Sequence, residues 1–127
     1  MSDAHTLTDK LGDPVEVIDQ PELHRAIIVY PSEQKVAGFT MYEDNGGERI
    51  FWHTVVPDEL EGRGLATILV REAMDQVATT SQVVVPTCPF VEHFLDKHGE
   101  GYAWRKPTKD DINWLIANAD GARELLS

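Results

Sequence analysis

Residues 49 to 86 constrain the fold more than any other stretch, because an apolar strand, a glycine turn, a helix and a second strand follow one another without a break. RIFWHTVV (49 to 56) is rich in β-branched and aromatic residues and is stopped by Pro57. After ELEGRG comes LATILVREAMDQVA, in which Leu65, Leu69, Ala73 and Val77 recur every four residues with Val70 and Met74 beside them. That is the pattern of a helix with one broad apolar stripe. QVVVP (82 to 86) is short, β-branched and bounded by polar residues, so it reads as a buried strand. The order strand, helix, strand predicts a right-handed crossover that sets QVVVP parallel to RIFWHTVV.

The segments around this unit complete the fold class. Val15, Val17 and, after an Asp-Gln-Pro interruption, AIIVY (26 to 30) read as strands closed by Pro31 and Ser32. VAGFTMY (36 to 42) and RIFWHTVV are separated by EDNGGE, whose Asn45-Gly46 step favours positive φ and marks a hairpin. An antiparallel meander followed by a β-α-β crossover makes the expected class α/β, with an α+β mixed sheet. PFVEHFLDKHG reads as a second helix, with Pro89 suited to its first position and Gly99 to its C-terminal cap. Beyond Pro107, Thr108 with Asp111 three residues on has the pattern of a helix start, and Ile112, Leu115 and Ile116 share a face. The expected organisation is a loose N-terminal segment at 1–13, one domain over 14–106 and a C-terminal helical extension at 107–127.

Length and charge narrow the function. A chain of 127 residues supports one core and one site. No apolar run approaches the roughly 20 residues that span a bilayer, and the N-terminus has no apolar leader, so no membrane association is expected and the cytoplasm is the expected compartment. The single cysteine, Cys88, excludes an intramolecular disulfide and argues against a cysteine zinc site. His5, His24, His53, His93 and His98 are scattered, and the five-residue step between the last two does not suit one helix face, so no metal is expected. A net charge of −11 opposes binding to nucleic acid. It suits a cationic or amine partner, although an acidic surface also serves solubility. The strand edges that so small a domain leaves open make a homodimer an expectation.

EGRGLA (61 to 66) is where chemistry enters. A helix N-terminus carries free N–H groups and about half a positive charge, and glycines before it let an anion approach the backbone. The element order, meander, strand, G-x-G turn, helix, parallel strand, helix, resembles the Gcn5-related N-acetyltransferase (GNAT) fold. In that family a turn of pattern Gln/Arg-x-x-Gly-x-Gly/Ala binds the pyrophosphate of acetyl-coenzyme A. Gly64 and Ala66 fit the pattern, and Glu61 stands where Gln or Arg is usual. WHTVV, EGRGLATILV and VVPTCPFVEHFLDKH, in this order, look like a small single-domain GNAT subfamily with a His-Thr pair before the loop and a Cys-Pro-Phe-Val motif after the next strand. The resemblance runs from Val15 to Tyr102. It implies an acetyl-coenzyme A-dependent N-acetyltransferase acting on a primary amine, on a small molecule or a peptide.

The resemblance also assigns roles. Backbone N–H groups of Gly62, Arg63, Gly64, Leu65, Ala66 and Thr67 would bind the coenzyme, with Arg63 supplying charge nearby. Val55 and Val56 would pair with the pantetheine arm, because two parallel strands that splay apart leave backbone groups unpaired. Cys88, between a strand end and Pro89, would stand at a positive helix N-terminus that favours thiolate, as acetyl acceptor, acid or base. A small buried apolar residue is the plainer reading of a free cysteine. His53 alternates with Phe51 and Val55, so its ring is expected on their face, as base or as the group orienting Cys88, and Thr54 is expected on the other. A histidine satisfied by a backbone carbonyl is the plainer reading there. Many family members carry a tyrosine acid on the helix after the final strand, where this chain has Leu95, so Cys88, His53 or a water must substitute. Two other readings stay open. One is a non-catalytic coenzyme A or acyl-coenzyme A binding module; the other is an interaction protein whose last helix docks a partner through Trp114 and Leu115 or Ile116.

Overall fold

The computed structural model of the protein describes residues 7 to 126. Six strands, β1 (Leu7–Thr8), β2 (Pro14–Gln20), β3 (Arg25–Tyr30), β4 (Lys35–Asn45), β5 (Glu48–Val55) and β6 (Val83–Pro86), form one sheet in sequential order. All neighbours are antiparallel except β5 and β6, which pair in parallel as the crossover requires. The helices are α1 (Leu65–Val77), α2 (Pro89–His98), α3 (Lys109–Asn118) and α4 (Ala122–Leu126). The mixed α/β class expected from the sequence is the one observed. The β4–β5 hairpin closes through Gly46 and Gly47, with Gly46 at φ 61, because Asn45 still pairs with Glu48.

Three apolar clusters show why the chain layers as it does. α1 and α2 cover one face of the sheet: Val70, Ala73, Met74, Val91, Phe94 and Leu95 pack on Tyr42, Phe51, Val84 and Cys88. At the other end of that face Leu65 and Leu69 cover Val15, Ala26, Ile28, Tyr30 and Ala37. The stripe at every fourth residue of α1 therefore spans the sheet from β6 to β2. The opposite face carries Ile50, Trp52 and Val85, and Leu115, Ala119 and Ala122 of α3 and α4 bury them.

The C-terminal segment is thus the lid of a core. Thr108 and Asp111 form the expected capping box, and Asp111 also takes both arms of Arg105 at 2.7 and 2.9 Å. Arg105 spans in turn to Glu48 at the start of β5, at 2.7 and 2.9 Å. Leu115 is fully buried by this arrangement and presents nothing to a partner, which corrects its reading as a docking residue.

The N-terminal expectation also needs correction for residues 7 to 13; residues 1 to 6 lie outside the described part. β1 pairs with Val15 and Pro14, and Asp9 is buried. Polar composition concealed this, because one carboxylate organises the segment. Asp9 Oδ1 accepts the N–H groups of Leu11 and Asp13, both at 2.9 Å, and Oδ2 accepts the Tyr30 hydroxyl at 2.6 Å. Gly99 ends α2 as expected, at φ −75 with no left-handed cap. It is glycine because a Cβ there would collide with the Leu95 carbonyl oxygen and the Trp104 indole.

Candidate active site

The ladder between β5 and β6 ends at Phe51 opposite Pro86. The Phe51 carbonyl oxygen accepts three hydrogen bonds there, from the N–H groups of Thr87 at 2.9 Å and Cys88 at 3.1 Å and from the Thr87 hydroxyl at 2.9 Å. This knot turns the chain out of β6 into α2. β5 continues alone to Val55, paired only with β4, so the edge of Trp52 to Val55 that faced β6 has no strand partner. The splay expected beside Val55 and Val56 is present.

A bulge lies at the same place. Tyr42 of β4 stands opposite Phe51, and Met41 stands opposite His53, so Trp52 is one residue too many. An extra residue reverses the alternation of side chains after it. Thr54, not His53, therefore joins Phe51 on the face covered by α1 and α2. The Cys88 thiol donates to the Thr54 hydroxyl at 3.4 Å, and Thr54 and Thr40 share a hydrogen bond of 2.9 Å. Thr40 is fully buried and Cys88 is 5% exposed. His53 lies on the far face, its ring 6.0 Å from those of Phe39 and Trp52. The expectation that His53 shares a face with Phe51 and orients Cys88 is overturned. A bulge leaves no mark in an apolar run such as RIFWHTVV, so the strand's sequence held no sign of Thr54's role.

The glycine turn has the geometry an anion site needs. Gly62 and Gly64 lie at φ 85 and φ 77, and Gly64 is the N-cap of α1 with no side chain capping the helix. The N–H groups of Leu65, Ala66 and Thr67 begin the helix at an open end. A groove of about 250 Å³ runs from Val56 past Gly62, Gly64, Ala66 and Thr67 to Phe90. A second, of about 210 Å³, shares Thr67 and Phe90 and continues to His93, Lys97 and His98. An open helix N-terminus beside an unpartnered strand edge offers free backbone groups to an anion and to an extended chain.

The Arg63 side chain, expected to supply charge here, is engaged elsewhere. Its guanidinium donates to the Tyr30 hydroxyl at 3.2 Å, lies 3.9 Å from Asp9 Oδ2 and stands over the Tyr30 ring. The Tyr30 hydrogen bond holds the Asp9 carboxyl below its ordinary range, against desolvation, while burial and Asp9 together push the Tyr30 phenol up.

On α2, Leu95 is 1% exposed and faces the core, so no hydroxyl stands there. Tyr102, pushed up to about 12 by burial and by its hydrogen bond to Asp75, sits against α1 away from the groove. Glu92 faces Lys106 at 3.5 Å, and His93 lines the second groove. Among the described residues no three His, Cys, Asp or Glu side chains cluster as metal ligands would, and no helix is long and apolar enough to cross a membrane.

This geometry has relatives. Among solved structures the chain is similar to the solution structure of a GCN5-like candidate N-acetyltransferase from Staphylococcus aureus. The TM-score is 0.56 at 19% identity, over 74% of this chain and 91% of that one. At that identity the likeness concerns the fold. Among curated proteins no sequence matches. The family model described as GCN5-related N-acetyl-transferase matches residues 26–104, from β3 to the bridge that Trp104 makes with Val84. Splayed strands, glycine turn and open helix end all fall within that span, and the chain belongs to the GCN5-related N-acetyltransferase family.

Proposed function

We propose that the protein transfers the acetyl group of acetyl-coenzyme A to a primary amine. The observation that carries this reading is the open, glycine-led N-terminus of α1 beside the unpartnered edge of β5, with a thiol next to the gap. Acetyl-coenzyme A, the usual donor in this family, supplies an acyl group activated as a thioester.

The chain's own groups then divide the work. The N–H groups of Leu65, Ala66 and Thr67 bind phosphate oxygens through the helix end. The free edge of β5 up to Val55, with Val56 beyond it, lines up the arm by backbone hydrogen bonds. Cys88 holds a proton on Sγ next to the gap, and Thr54 fixes the direction of that S–H bond, in place of the tyrosine that Leu95 replaces. His53 has the sheet between itself and Cys88, so it takes no part in orienting the thiol.

A second reading, a non-catalytic coenzyme-binding module, is favoured by the apolar burial of Leu95 and the low exposure of Cys88. A thermal-shift titration with acetyl-coenzyme A comes first. Ligand at 100 times its dissociation constant stabilises a fold by roughly 2.7 kcal/mol, several degrees for a domain of this size. Release of free coenzyme thiol with a panel of amines then separates the readings: amine-dependent release supports the enzyme, and binding without release supports the module.

A further inference from the structure

The strap of residues 7 to 13 crosses the glycine turn. The Lys10 N–H donates to the Arg63 carbonyl oxygen at 2.9 Å, between the two glycines, and the Asp9 network fixes the strap on either side of it. The Lys10 side chain then lies along Gly64: a Cβ at Gly64 would stand 3.2 Å from Lys10 Cε, 3.3 Å from Cγ and 3.6 Å from Cδ. Gly64 is glycine both for its φ of 77 and for this stem. Lys10 lines the groove that runs past Gly62 to Phe90. It also lines a third space, of about 380 Å³, with Thr8, Asp9, Arg63, Gly64 and Thr67.

The charge balance of the turn makes this placement consequential. Glu61 puts an exposed carboxylate in the loop, and Asp58 and Glu59 precede it. Arg63 is committed to Tyr30 and Asp9. Among the described residues no carboxylate pairs with Lys10. A lysine whose stem rests on a backbone carries its ammonium beyond that contact, and an anionic oxygen such as a phosphate's accepts a charge-assisted hydrogen bond from it.

We propose that Lys10 binds the diphosphate of the coenzyme, supplying from the N-terminal strap the charge that Glu61 withholds from the loop. This rests on the acetyl-coenzyme A reading above. Lys10 lies outside residues 26–104, so the family match does not supply the contact. The strap is therefore part of the binding site.

Calorimetric titration of wild type, Lys10→Met and Lys10→Arg with acetyl-coenzyme A, its 3′-dephospho analogue and S-acetylpantetheine tests it. Lys10→Met is expected to weaken both nucleotide-bearing ligands at least about tenfold, with smaller salt dependence. Lys10→Arg is expected to retain most of the affinity, and S-acetylpantetheine to bind all three proteins alike. The unfolding midpoint without ligand should not move, because Lys10 is exposed. Equal binding by wild type and Lys10→Met overturns this proposal alone. So does a penalty that disappears with the 3′-dephospho analogue, which would place the contact on the 3′-phosphate, or one that extends to S-acetylpantetheine, which would make the loss structural. Absence of binding by wild type overturns the functional reading together with this one.

Discussion

Cys88 and Thr54 meet across the splay of two parallel strands, the thiol donating to the hydroxyl at 3.4 Å, with Thr40 behind Thr54 at 2.9 Å. A cysteine at the N-cap of a helix is thereby oriented by the neighbouring strand. The contact exists because the extra residue, Trp52, turns Thr54 toward α2.

Thr54→Val keeps the β-branched shape and removes the hydroxyl. It leaves Thr40 buried without its hydroxyl partner, at a cost of about 1–2 kcal/mol in unfolding free energy. If the thiol protonates the departing coenzyme, kcat falls about tenfold or more with KM little changed, and Thr54→Val combined with Cys88→Ala is no worse than Cys88→Ala alone. His53→Ala should cost less. Wild-type turnover by Thr54→Val would remove the Cys88–Thr54 contact from the mechanism.

Thr67→Glu separates stability from binding. A carboxylate in the first turn of α1 complements the helix dipole and should stabilise the fold by about 0.3–1 kcal/mol. The same charge faces the groove shared by the glycine loop and Phe90, so if that loop takes the diphosphate, acetyl-coenzyme A affinity should fall about tenfold or more. Thermal midpoints with and without ligand read both effects. A variant as tight as wild type would move the phosphates elsewhere.

Asp9 predicts a pH dependence. Its carboxyl is held below the ordinary value of 3.8, first by the Tyr30 hydroxyl, with the Leu11 and Asp13 N–H groups and Arg63 helping against desolvation. The folded state therefore binds this proton less readily than the unfolded chain. The stabilisation is complete above 3.8 and is lost as pH falls through the lower folded value. Asp9→Asn should lower the unfolding midpoint at neutral pH, and its difference from wild type should shrink in acid below 3.8. A constant difference across that range would mean that the charge plays no part.

Leu115→Ala should cost about 2–5 kcal/mol, because the side chain is fully buried against Ile50, Trp52 and Val85. Deleting residues 107 to 127 uncovers that apolar face and should abolish cooperative unfolding. A truncated chain that melts as sharply as wild type would restore the tail as a separable docking element.

Local rules in the sequence were enough to determine β2 to β6, α1 to α3 and their order, but not β1 or α4. Periodicity placed α1, the β-branched run placed β6, and Thr108 with Asp111 placed the start of α3, each from residues a few positions apart. The positive φ of Gly62 and Gly64 was likewise implicit in their being glycine before a helix. Tertiary structure decided which face each site residue occupies. The bulge at Trp52 depends on how β4 registers against β5, and no residue within RIFWHTVV marks it, so His53 and Thr54 exchange faces relative to simple alternation. The strap was illegible for a related reason. Asp9 and Lys10 look like solvated residues until Tyr30 and Arg63, 21 residues or more away in sequence, come to meet them. Charge and hydrogen-bond partners at such separations are set by the closed sheet, and those partners decide which polar residues line the groove and which hold it in place.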